Sequence, residues 1–264
     1  MPLRKVIPSA LRRCLVDLAK ENVGLSWIMG LLYGVLMIPT FDGRALLIAL
    51  DPRTKRLMKI RSTLSFDTPA FFHEIFQAQV YEREYVVRDG DIVVDCGAHV
   101  GMFTIKAAKR ASLVISIEPA KENLSCLLEN VRRHKLKNVI VVGKALSDRA
   151  GSERFWVGKR SGTSQLASIS KPPEPIDHEE IVEVETLDNI LSRLKVQRID
   201  LLKVDVEGAE LKVLRGAEES LKVTRNIAME LHFESERVRN YLLERGFDVK
   251  LVGNMLYAKK VRSP

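Results

Sequence analysis

The sequence lacks the cysteine pattern of a disulfide scaffold or a zinc site. It has three cysteines, Cys14, Cys96 and Cys126, and no two of them have the C-x-x-C spacing. An odd number without a close pair argues against a disulfide framework and against structural zinc. Cys96 lies in an apolar strand pattern, so we interpret it as a core residue rather than a nucleophile. Reduced thiols are typical of the cytoplasm, which is the localisation that the sequence predicts.

Charge is missing from one stretch near the N-terminus. No charged residue lies between Glu21 and Asp42, and residues 25–39 are strongly apolar. A membrane-spanning helix needs about 20 such residues, and Pro39 weakens a spanning helix here. We therefore favour a pair of helices packed on the rest of the chain or on a partner chain, as in a homodimer. The alternative is peripheral membrane association through residues 22–41.

The overall charge is basic, with a net formal charge of +8 and a sequence pI near 9.4. An excess of lysine and arginine favours polyanions such as RNA, anionic lipid or a phosphorylated substrate. Composition alone is weak evidence, because an ordinary basic surface has the same excess. The basic charge therefore has two interpretations, a polyanionic partner or an ordinary basic surface.

Strand and helix patterns alternate from about residue 90 onwards. Repeated strand–helix units predict a parallel sheet with helices on both faces. Gly253-Asn254 is a two-residue hairpin signal, so we expect the last strand to be antiparallel at the edge. The predicted strands are 91–96, 113–118, 139–142, 199–206, 227–231, 249–252 and 255–259. This α/β domain takes residues 71–264 and follows an accessory region, 1–70, of apolar helices and short strands.

A glycine loop follows the first strand of this domain, with the pattern D-x-G-x-x-x-G from Asp95 to Gly101. A nicotinamide enzyme needs G-x-G-x-x-G, whose middle glycine makes room for a pyrophosphate. Here Ala98 and His99 follow Gly97 instead. S-adenosylmethionine has no phosphate to seat, so the loop favours that methyl donor over NAD.

Two further loops extend the expected nucleotide pocket. Glu118, followed by Pro119, lies about 20 residues past Gly97, which is the spacing of a ribose-binding carboxylate. The alternative for Glu118 is a carboxylate placed near a helix N-terminus. After the third strand, Leu146 and Ser147 are expected to contact adenine, and the alternative there is a simple capped turn.

Ionisable residues follow the fourth and fifth strands of the domain. Lys203, Asp205 and Glu207 alternate along one strand and its exit, and Glu230 and His232 do so along the next. We expect Asp205 to hold the methionine ammonium or the acceptor and Lys203 to pair with a carboxylate. His232 is the preferred base because the reference pKa of histidine is near neutrality, and Glu207 is the second choice.

The same residues bear on two other possibilities, metal binding and methylation of an amine. Asp205, Glu207 and His232 suit a divalent ion, although the sequence is interpreted without a metal. Amine methyltransferases usually carry an Asn/Asp-Pro-Pro-aromatic string after the fourth strand. Here the string is Asp205-Val-Glu-Gly. Methylation of a base amine is therefore disfavoured, whereas methylation of a ribose hydroxyl is not.

Residues 158–180 are rich in glycine and proline, and we interpret them as a substrate lid. Within this stretch, residues 163–165 are neutral hydrogen-bonding residues suited to a polyol, and Lys159 and Arg160 suit a phosphate. The alternative is an insertion without function.

Three segments together closely resemble the FkbM family of methyltransferases. They are VDCGAHVGMFT (94–104), SIEP (116–119) and IDLLKVDVEGAELKVLRG (199–216). The resemblance implies a class I, Rossmann-like fold with S-adenosyl-L-methionine as cofactor and S-adenosyl-L-homocysteine as product. It also implies O-methylation, typically of sugars, glycolipids or polyketide-like products. His99 departs from the family pattern, which usually has asparagine there.

The function expected from the sequence is O-methylation of a hydroxyl on a glycan, glycolipid or small molecule. One alternative is an RNA ribose 2′-O-methyltransferase, favoured by the basic charge and by the cluster at residues 132–137. Another is an S-adenosylmethionine-binding module without catalysis. The candidate catalytic residues are Lys203, Asp205, Glu207 and His232. The candidate cofactor-binding residues are Asp95, Gly97, Ala98, His99, Gly101, Glu118, Pro119, Leu146, Ser147 and Asp205.

Overall fold

A computed structural model describes residues 34–41, 44–51, 57–63, 68–158, 167–168 and 176–261. The helices expected before residue 34 and most of the predicted lid lie outside these ranges. The strands are β1 Val35–Pro39, β2 Arg44–Leu50, β3 Leu57–Thr63, β4 Ile92–Cys96, β5 Leu113–Ile117, β6 Val139–Val142, β7 Ala145–Leu146, β8 Gly151–Gly158, β9 Ala167–Ser168, β10 Ile176–Glu185, β11 Ile199–Val204, β12 Thr224–Glu230, β13 Phe247–Val252 and β14 Met255–Lys260.

The helices of the described ranges lie mostly between these strands. They are α1 Thr68–Phe72, α2 Met102–Ala107, α3 Lys121–Arg133, α4 Leu187–Arg193, α5 Glu210–Arg215, α6 Glu218–Lys222 and α7 Ser235–Glu244. A π-helical segment, His73–Ala78, continues α1, and a 3₁₀ turn, Val80–Glu82, follows it. Gly216 and Ala217 separate α5 from α6.

The central sheet has seven strands in the order β13-β14-β12-β11-β4-β5-β6. β12, β11, β4, β5 and β6 are parallel, and β14 is antiparallel to both β12 and β13. The predicted seven-stranded, mostly parallel α/β sheet is therefore confirmed. The expected position of the reversed strand is wrong, because β14 lies between β12 and β13 and leaves β13 at the edge.

Alternate residues of the parallel strands face opposite layers of the core. In β4, Val94 packs with helices α4, α5 and α7, whereas Val93 packs with α2 on the other face. In β11, Leu202 packs in the same cluster as Val94, and Leu201 packs in the same cluster as Val93. Cys96 is 0% exposed, as expected for a core residue. Helices thus cover both faces of the sheet, which explains why its strands are apolar on both sides.

A second sheet lies where the sequence predicted mainly loop. It has the order β7-β10-β8-β9, and β8 and β10 form a long antiparallel pair. The buried residues Phe155 and Val184 join this sheet to the core of the central sheet. The segment after β6 therefore forms a second sheet that packs on the central one. Residues 176–180 of the predicted lid belong to its strand β10.

The N-terminal strands β1, β2 and β3 form an antiparallel sheet in chain order. Residues 35–39, which the sequence placed in an apolar helix, form β1 instead, because they pair with residues 45–49 of β2. β2 and β3 correspond to the short strands expected in the accessory region. Within the described ranges, no helix has the length and apolar character needed to cross a membrane.

One face of the N-terminal sheet packs on the helices of the central sheet. Leu47 and Ile60 share a cluster of buried residues with Ile105 of α2 and Cys126 of α3. The division at residue 70 stays a prediction, but the two regions share this apolar core. The N-terminal strands thereby support the helices on one side of the site.

Asn130 of α3 fixes this packing through its side-chain amide. It accepts a hydrogen bond from the Arg61 N–H at 2.7 Å and donates to Arg61 O at 2.7 Å and Val100 O at 2.8 Å. Asn130 is 0% exposed, so water is not available to replace these bonds. One side chain therefore joins β3, α3 and the loop before α2.

We expect Asn130→Ala to lower the free energy of unfolding by about 2–4 kcal/mol, because buried groups at Arg61 and Val100 lose their partners. Urea denaturation followed by circular dichroism measures the change. Lys137→Ala, at an exposed position beyond the same helix, is the control and should leave the midpoint unchanged. An unchanged midpoint for Asn130→Ala would contradict the assigned role.

Candidate active site

The ends of neighbouring parallel strands bring the predicted site residues to one edge of the central sheet. β11 lies between β4 and β12, and β5 lies beside β4. The loops after these strands carry residues 97–101, 118–119, 205–210 and 231–232. In open α/β sheets, ligands bind beyond this edge. The structure therefore places candidates from distant parts of the sequence at the same end of the sheet.

Gly97 is required by the close approach of two loops. Its φ is +73°, and a Cβ atom on it would lie 1.7 Å from the backbone oxygen of Asp205. The Gly97 and Ala98 N–H groups both donate to Ile117 O at 3.0 Å. The sequence places Gly97 among the cofactor-binding residues. In the structure, its missing side chain makes room for the neighbouring loop.

Lys203 is a buried cation that connects β4 to β11. Its Nζ donates to Gly97 O at 2.6 Å and Cys96 O at 3.3 Å, and it lies 3.1 Å from Asp95 Oδ1. Its distance to Asp205 Oδ2 is 3.8 Å. Burial lowers the pKa of Lys203, but Asp95 and Asp205 outweigh burial and raise it overall. The expected ion pair with a carboxylate is confirmed.

Asp95 lies beneath the glycine loop and is 0% exposed. Its Oδ2 accepts a hydrogen bond from Thr104 Oγ1 at 2.7 Å, and Thr104 Oγ1 lies 2.8 Å from Ser116 Oγ. Its other oxygen pairs with Lys203. The structure thus gives Asp95 a structural position and does not support direct contact with cofactor.

Glu118 joins the end of β5 to the glycine loop. Its Oε2 accepts from the His99 N–H at 2.8 Å, and its Oε1 accepts from the Ala120 N–H at 3.0 Å and from Asn123 Nδ2 at 3.4 Å. Burial raises the pKa of Glu118 to about 7, against the effect of these donors. A carboxylate offers about four acceptor positions, so capacity remains for a ligand hydroxyl.

His99 has a φ of +53°, which is uncommon for a residue other than glycine. Its ring packs edge-on against Phe71, with centroids 5.4 Å apart. Burial lowers the pKa of His99 to about 4, so the ring is neutral at pH 7. Its contact with the methionine part of the cofactor stays a prediction.

Leu146 and Ser147, the residues assigned to adenine, lie in and just after strand β7 of the second sheet. Leu146 is 5% exposed and belongs to the core cluster with Phe155. Ser147 is 0% exposed, and its Oγ donates to Glu153 Oε1 at 3.1 Å. The Ser147 hydroxyl therefore already has a partner within the chain, and adenine contact by these two residues stays a prediction.

His232 lies between two carboxylates. Its Nε2 is 3.1 Å from Glu207 Oε2, and its Nδ1 is 2.9 Å from Glu210 Oε1. Burial lowers the pKa of His232, but the hydrogen bonds that its ring donates to Glu207 and Glu210 raise it to about 11. The expectation of a pKa near neutrality is wrong, because both ring nitrogens face carboxylates from the loop after β11.

Glu207 reaches His232 from a strained turn. Its φ is +52°, and that of Gly208 is +96°. A left-handed conformation costs a residue other than glycine about 1–2 kcal/mol. The Gly208 N–H donates to Glu210 Oε1 at 2.9 Å, which holds the turn in place. Strained backbone that is fixed in this way is typical of functional sites.

Tyr81, in the 3₁₀ turn before β4, is a site residue that sequence reasoning missed. Its hydroxyl donates to Asp205 Oδ2 at 2.8 Å and lies 3.2 Å from Glu230 Oε2. Burial and the two carboxylates raise its pKa well above the ordinary value. Glu230 also accepts from Asn254 Nδ2 at 2.7 Å. No motif surrounds Tyr81, and only the three-dimensional structure places it beside Asp205.

The sequence profile of the methyltransferase FkbM domain matches residues 95–249. The chain belongs to the FkbM methyltransferase family. This match includes the glycine loop, Glu118 and the whole acidic cluster around His232. The predicted family is confirmed, and the cofactor of the chain is S-adenosyl-L-methionine.

The chain covers very different shares of two curated relatives. The chain is 30% identical over 182 residues to 31-O-demethyl-FK506 methyltransferase FkbM of Streptomyces tacrolimicus, covering 56% of this chain and 68% of that protein. It is 28% identical over 230 residues to the AMB antimetabolite synthetase AmbE of Pseudomonas aeruginosa. That match covers 70% of this chain and 11% of AmbE, so the chain spans a small part of that relative.

A crystal structure of an FkbM methyltransferase from Methylobacillus flagellatus has the same fold. It superposes with a TM-score of 0.51 at 20% identity and covers 73% of this chain and 51% of that chain. The likeness confirms the class I, Rossmann-like architecture expected from the strand pattern.

The residues at this edge of the sheet have the chemical groups that S-adenosyl-L-methionine requires. The ribose hydroxyls need acceptors, and Glu118 is a buried acceptor whose neighbour Asn123 has a buried Oδ1 without a hydrogen-bond partner. The ammonium and sulfonium are cationic, and carboxylates outnumber cations at this edge. The carboxylates are Asp95, Glu118, Asp205, Glu207, Glu210 and Glu230, and the cations are Lys203 and His232.

We expect Gly97→Ala to lower the free energy of unfolding by about 3 kcal/mol and to abolish binding of S-adenosylhomocysteine, because the new Cβ would displace the loop at Asp205. Differential scanning fluorimetry and isothermal titration calorimetry measure the two effects.

Gly90→Ala is the matched control for the glycine variant. Gly90 also has a positive φ, +87°, but nothing lies within 4 Å of an added Cβ. Gly90→Ala should therefore lower the free energy of unfolding by only about 1 kcal/mol, the cost of a left-handed backbone for alanine. It should bind S-adenosylhomocysteine like the unaltered chain. Equal effects at the two glycines would contradict the steric explanation.

Proposed function

We propose that the chain transfers the methyl group of S-adenosyl-L-methionine to a hydroxyl of a glycan, a glycolipid or another small molecule. The observation that carries the proposal is the group of hydrogen-bond acceptors around Asp205, Glu207 and Glu230 at the edge where the cofactor loops end. A hydroxyl nucleophile needs such acceptors for its proton. The name of the Streptomyces relative, a 31-O-demethyl-FK506 methyltransferase, describes an O-methylation of this kind.

The reaction is balanced without a further reactant. The acceptor oxygen forms a bond to the methyl carbon, the carbon–sulfur bond breaks with its electrons going to sulfur, and the hydroxyl proton leaves. The products are a methyl ether, S-adenosylhomocysteine and a proton. The bound cofactor supplies an electrophilic methyl group. The protein positions the acceptor and receives the proton, and correct positioning alone accounts for a large share of such rate increases.

The arrangement of His232 changes the assignment of the base. Both ring nitrogens face carboxylates, and the pKa of about 11 keeps the ring protonated at neutral pH. A protonated imidazole does not accept a proton, so the acceptor proton goes to a carboxylate. Glu207, the second choice from the sequence, stays a prediction. Tyr81 acts as a positioning residue, since its hydroxyl fixes Asp205 beside Glu230.

The most direct test is transfer of a labelled methyl group to fractions of a cell extract. We expect the label in the polysaccharide, lipid or small-molecule fraction, as a methyl ether that survives mild alkali, since an ether has no carbonyl for hydroxide to attack. Label recovered as an alkali-labile ester would contradict the proposal. Gly97→Ala protein, which we expect not to bind cofactor, is the background control.

RNA is the main alternative acceptor, and the same experiment separates it. The basic cluster at residues 132–137 favours it, but the protein already uses part of that cluster. Arg133 pairs with Glu129, and His134 Nε2 lies 3.0 Å from Lys59 O. Label in 2′-O-methylated nucleotides would support the RNA alternative. Tight binding of S-adenosylhomocysteine with no label in any fraction would support a module without catalysis.

Glu118 predicts a pH dependence for binding of S-adenosylhomocysteine. Its pKa of about 7 means that roughly half of the free protein carries a neutral carboxyl at pH 7. Ribose hydroxyls donate to the ionised form, so binding releases a proton. Affinity should therefore rise about tenfold from pH 6 to pH 8. Calorimetric titrations at several pH values measure the change.

The control for this dependence is Glu118→Gln, which keeps an acceptor oxygen but does not titrate. It should bind more weakly and show no step near pH 7. An affinity of the unaltered protein that is constant between pH 6 and pH 8 would argue against ribose recognition by Glu118.

A further inference from the structure

The end of β11 and the end of β12 together present a set of metal-binding side chains. Asp205, Glu207 and His232 each offer one ligand atom, and these atoms all lie within 4.8 Å of one another. Among the described residues, this is the set of three histidine, cysteine or carboxylate side chains that meets such a spacing. We propose that Asp205, Glu207 and His232 bind one divalent cation, with Glu210 orienting His232.

The distances suit a shared ion. His232 Nε2 and Glu207 Oε2 are 3.1 Å apart. Two adjacent ligands that each lie about 2.1 Å from one ion are about 3 Å apart. The third ligand atom, on Asp205, lies within 4.8 Å of the other two. A cation would thus replace the hydrogen that now joins the imidazole to Glu207.

The orientation of His232 is the one that a metal ligand needs. Its Nδ1 lies 2.9 Å from Glu210 Oε1, and the Glu210 side chain is 2% exposed. Since a carboxylate accepts, Nδ1 donates to Glu210 and keeps its proton, and Nε2, which now donates to Glu207, is the nitrogen that would give up its proton to a metal ion. Histidines that bind metals usually donate their other N–H to a carboxylate in this manner. Glu210 is therefore a positioning residue.

The charges around this site favour a cation. Asp205, Glu207 and Glu230 lie together, and the ammonium of Lys203 is closer to Asp95, at 3.1 Å, than to Asp205, at 3.8 Å. Like charges that are held close repel one another, and a divalent ion would offset this repulsion.

Partial exposure indicates a site of catalytic rather than structural type. The side chains of Asp205, Glu207 and His232 are 25%, 30% and 23% exposed. A set of three protein ligands leaves positions open, as in catalytic metal sites. Two carboxylates and an imidazole suit a transition-metal ion such as Mn²⁺ better than Mg²⁺, which prefers oxygen ligands alone. The role in catalysis rests on the proposed function, because the open positions would receive the acceptor hydroxyl and make it more acidic.

The test is binding of Mn²⁺ to the full chain after treatment with chelator and dialysis, followed by electron paramagnetic resonance. We expect one Mn²⁺ per chain. Glu207→Gln and His232→Gln should each weaken binding at least tenfold, and Glu210→Gln should weaken it about 10- to 100-fold. A far-ultraviolet circular dichroism spectrum and a thermal midpoint equal to those of the unaltered chain show that each variant is folded.

His178→Ala is the matched control. His178 Nε2 also lies close to a glutamate, at 3.0 Å from Glu180 Oε1, but it lies outside the three-residue set. It should bind Mn²⁺ like the unaltered chain. The absence of saturable binding, or equal weakening by His178→Ala and His232→Gln, would overturn the site.

The result for Glu210→Gln separates an orienting role from a purely structural one. Affinity for Mn²⁺ equal to that of the unaltered chain would overturn the orienting role. Mn²⁺ binding is measured without an acceptor, so failure of the metal site and failure of hydroxyl methylation are distinguishable.

Discussion

The contact of the Lys203 ammonium with the backbone of the glycine loop is the interaction on which the site depends. Lys203 Nζ is bonded to the carbonyl oxygens of Cys96 and Gly97 and paired with Asp95. These bonds hold the end of β4 against the end of β11. Because a buried charge without partners is strongly unfavourable, the two strand ends are fixed relative to each other. The narrow contact between Gly97 and Asp205 follows from that fixed distance.

The central sheet was predictable because its signals are local. Apolar runs between helical stretches indicate parallel strands, and Gly253-Asn254 indicates a hairpin. The candidate site followed from the same pattern, since parallel strands end at a common edge. Neighbouring strands such as β11 and β12 therefore had to bring Asp205 and His232 together. The sequence did not determine where β14 inserts, because hairpin signals do not specify which strand is at the edge.

The properties of individual side chains were less predictable, because they depend on partners across loops. The reference pKa of histidine suggested a base at position 232, whereas Glu207 and Glu210 keep that ring protonated. Tyr81 reaches Asp205 from a turn far away in the sequence. In β10, Val182 and Val184 are buried while Ile181 is 71% exposed. This alternation was obscured by the many acidic residues around it, which resemble a solvated loop.

The position of β14 has a consequence for how the sheet is completed during synthesis. β14 pairs with β12 on one side and β13 on the other, although both precede it in the chain. Until β14 leaves the ribosome, β12 is an open edge with unpaired backbone groups beside an apolar core. Such edges are prone to pairing with other chains. A nascent chain that pauses before residue 255 therefore leaves the edge of β12 open to pairing with other chains.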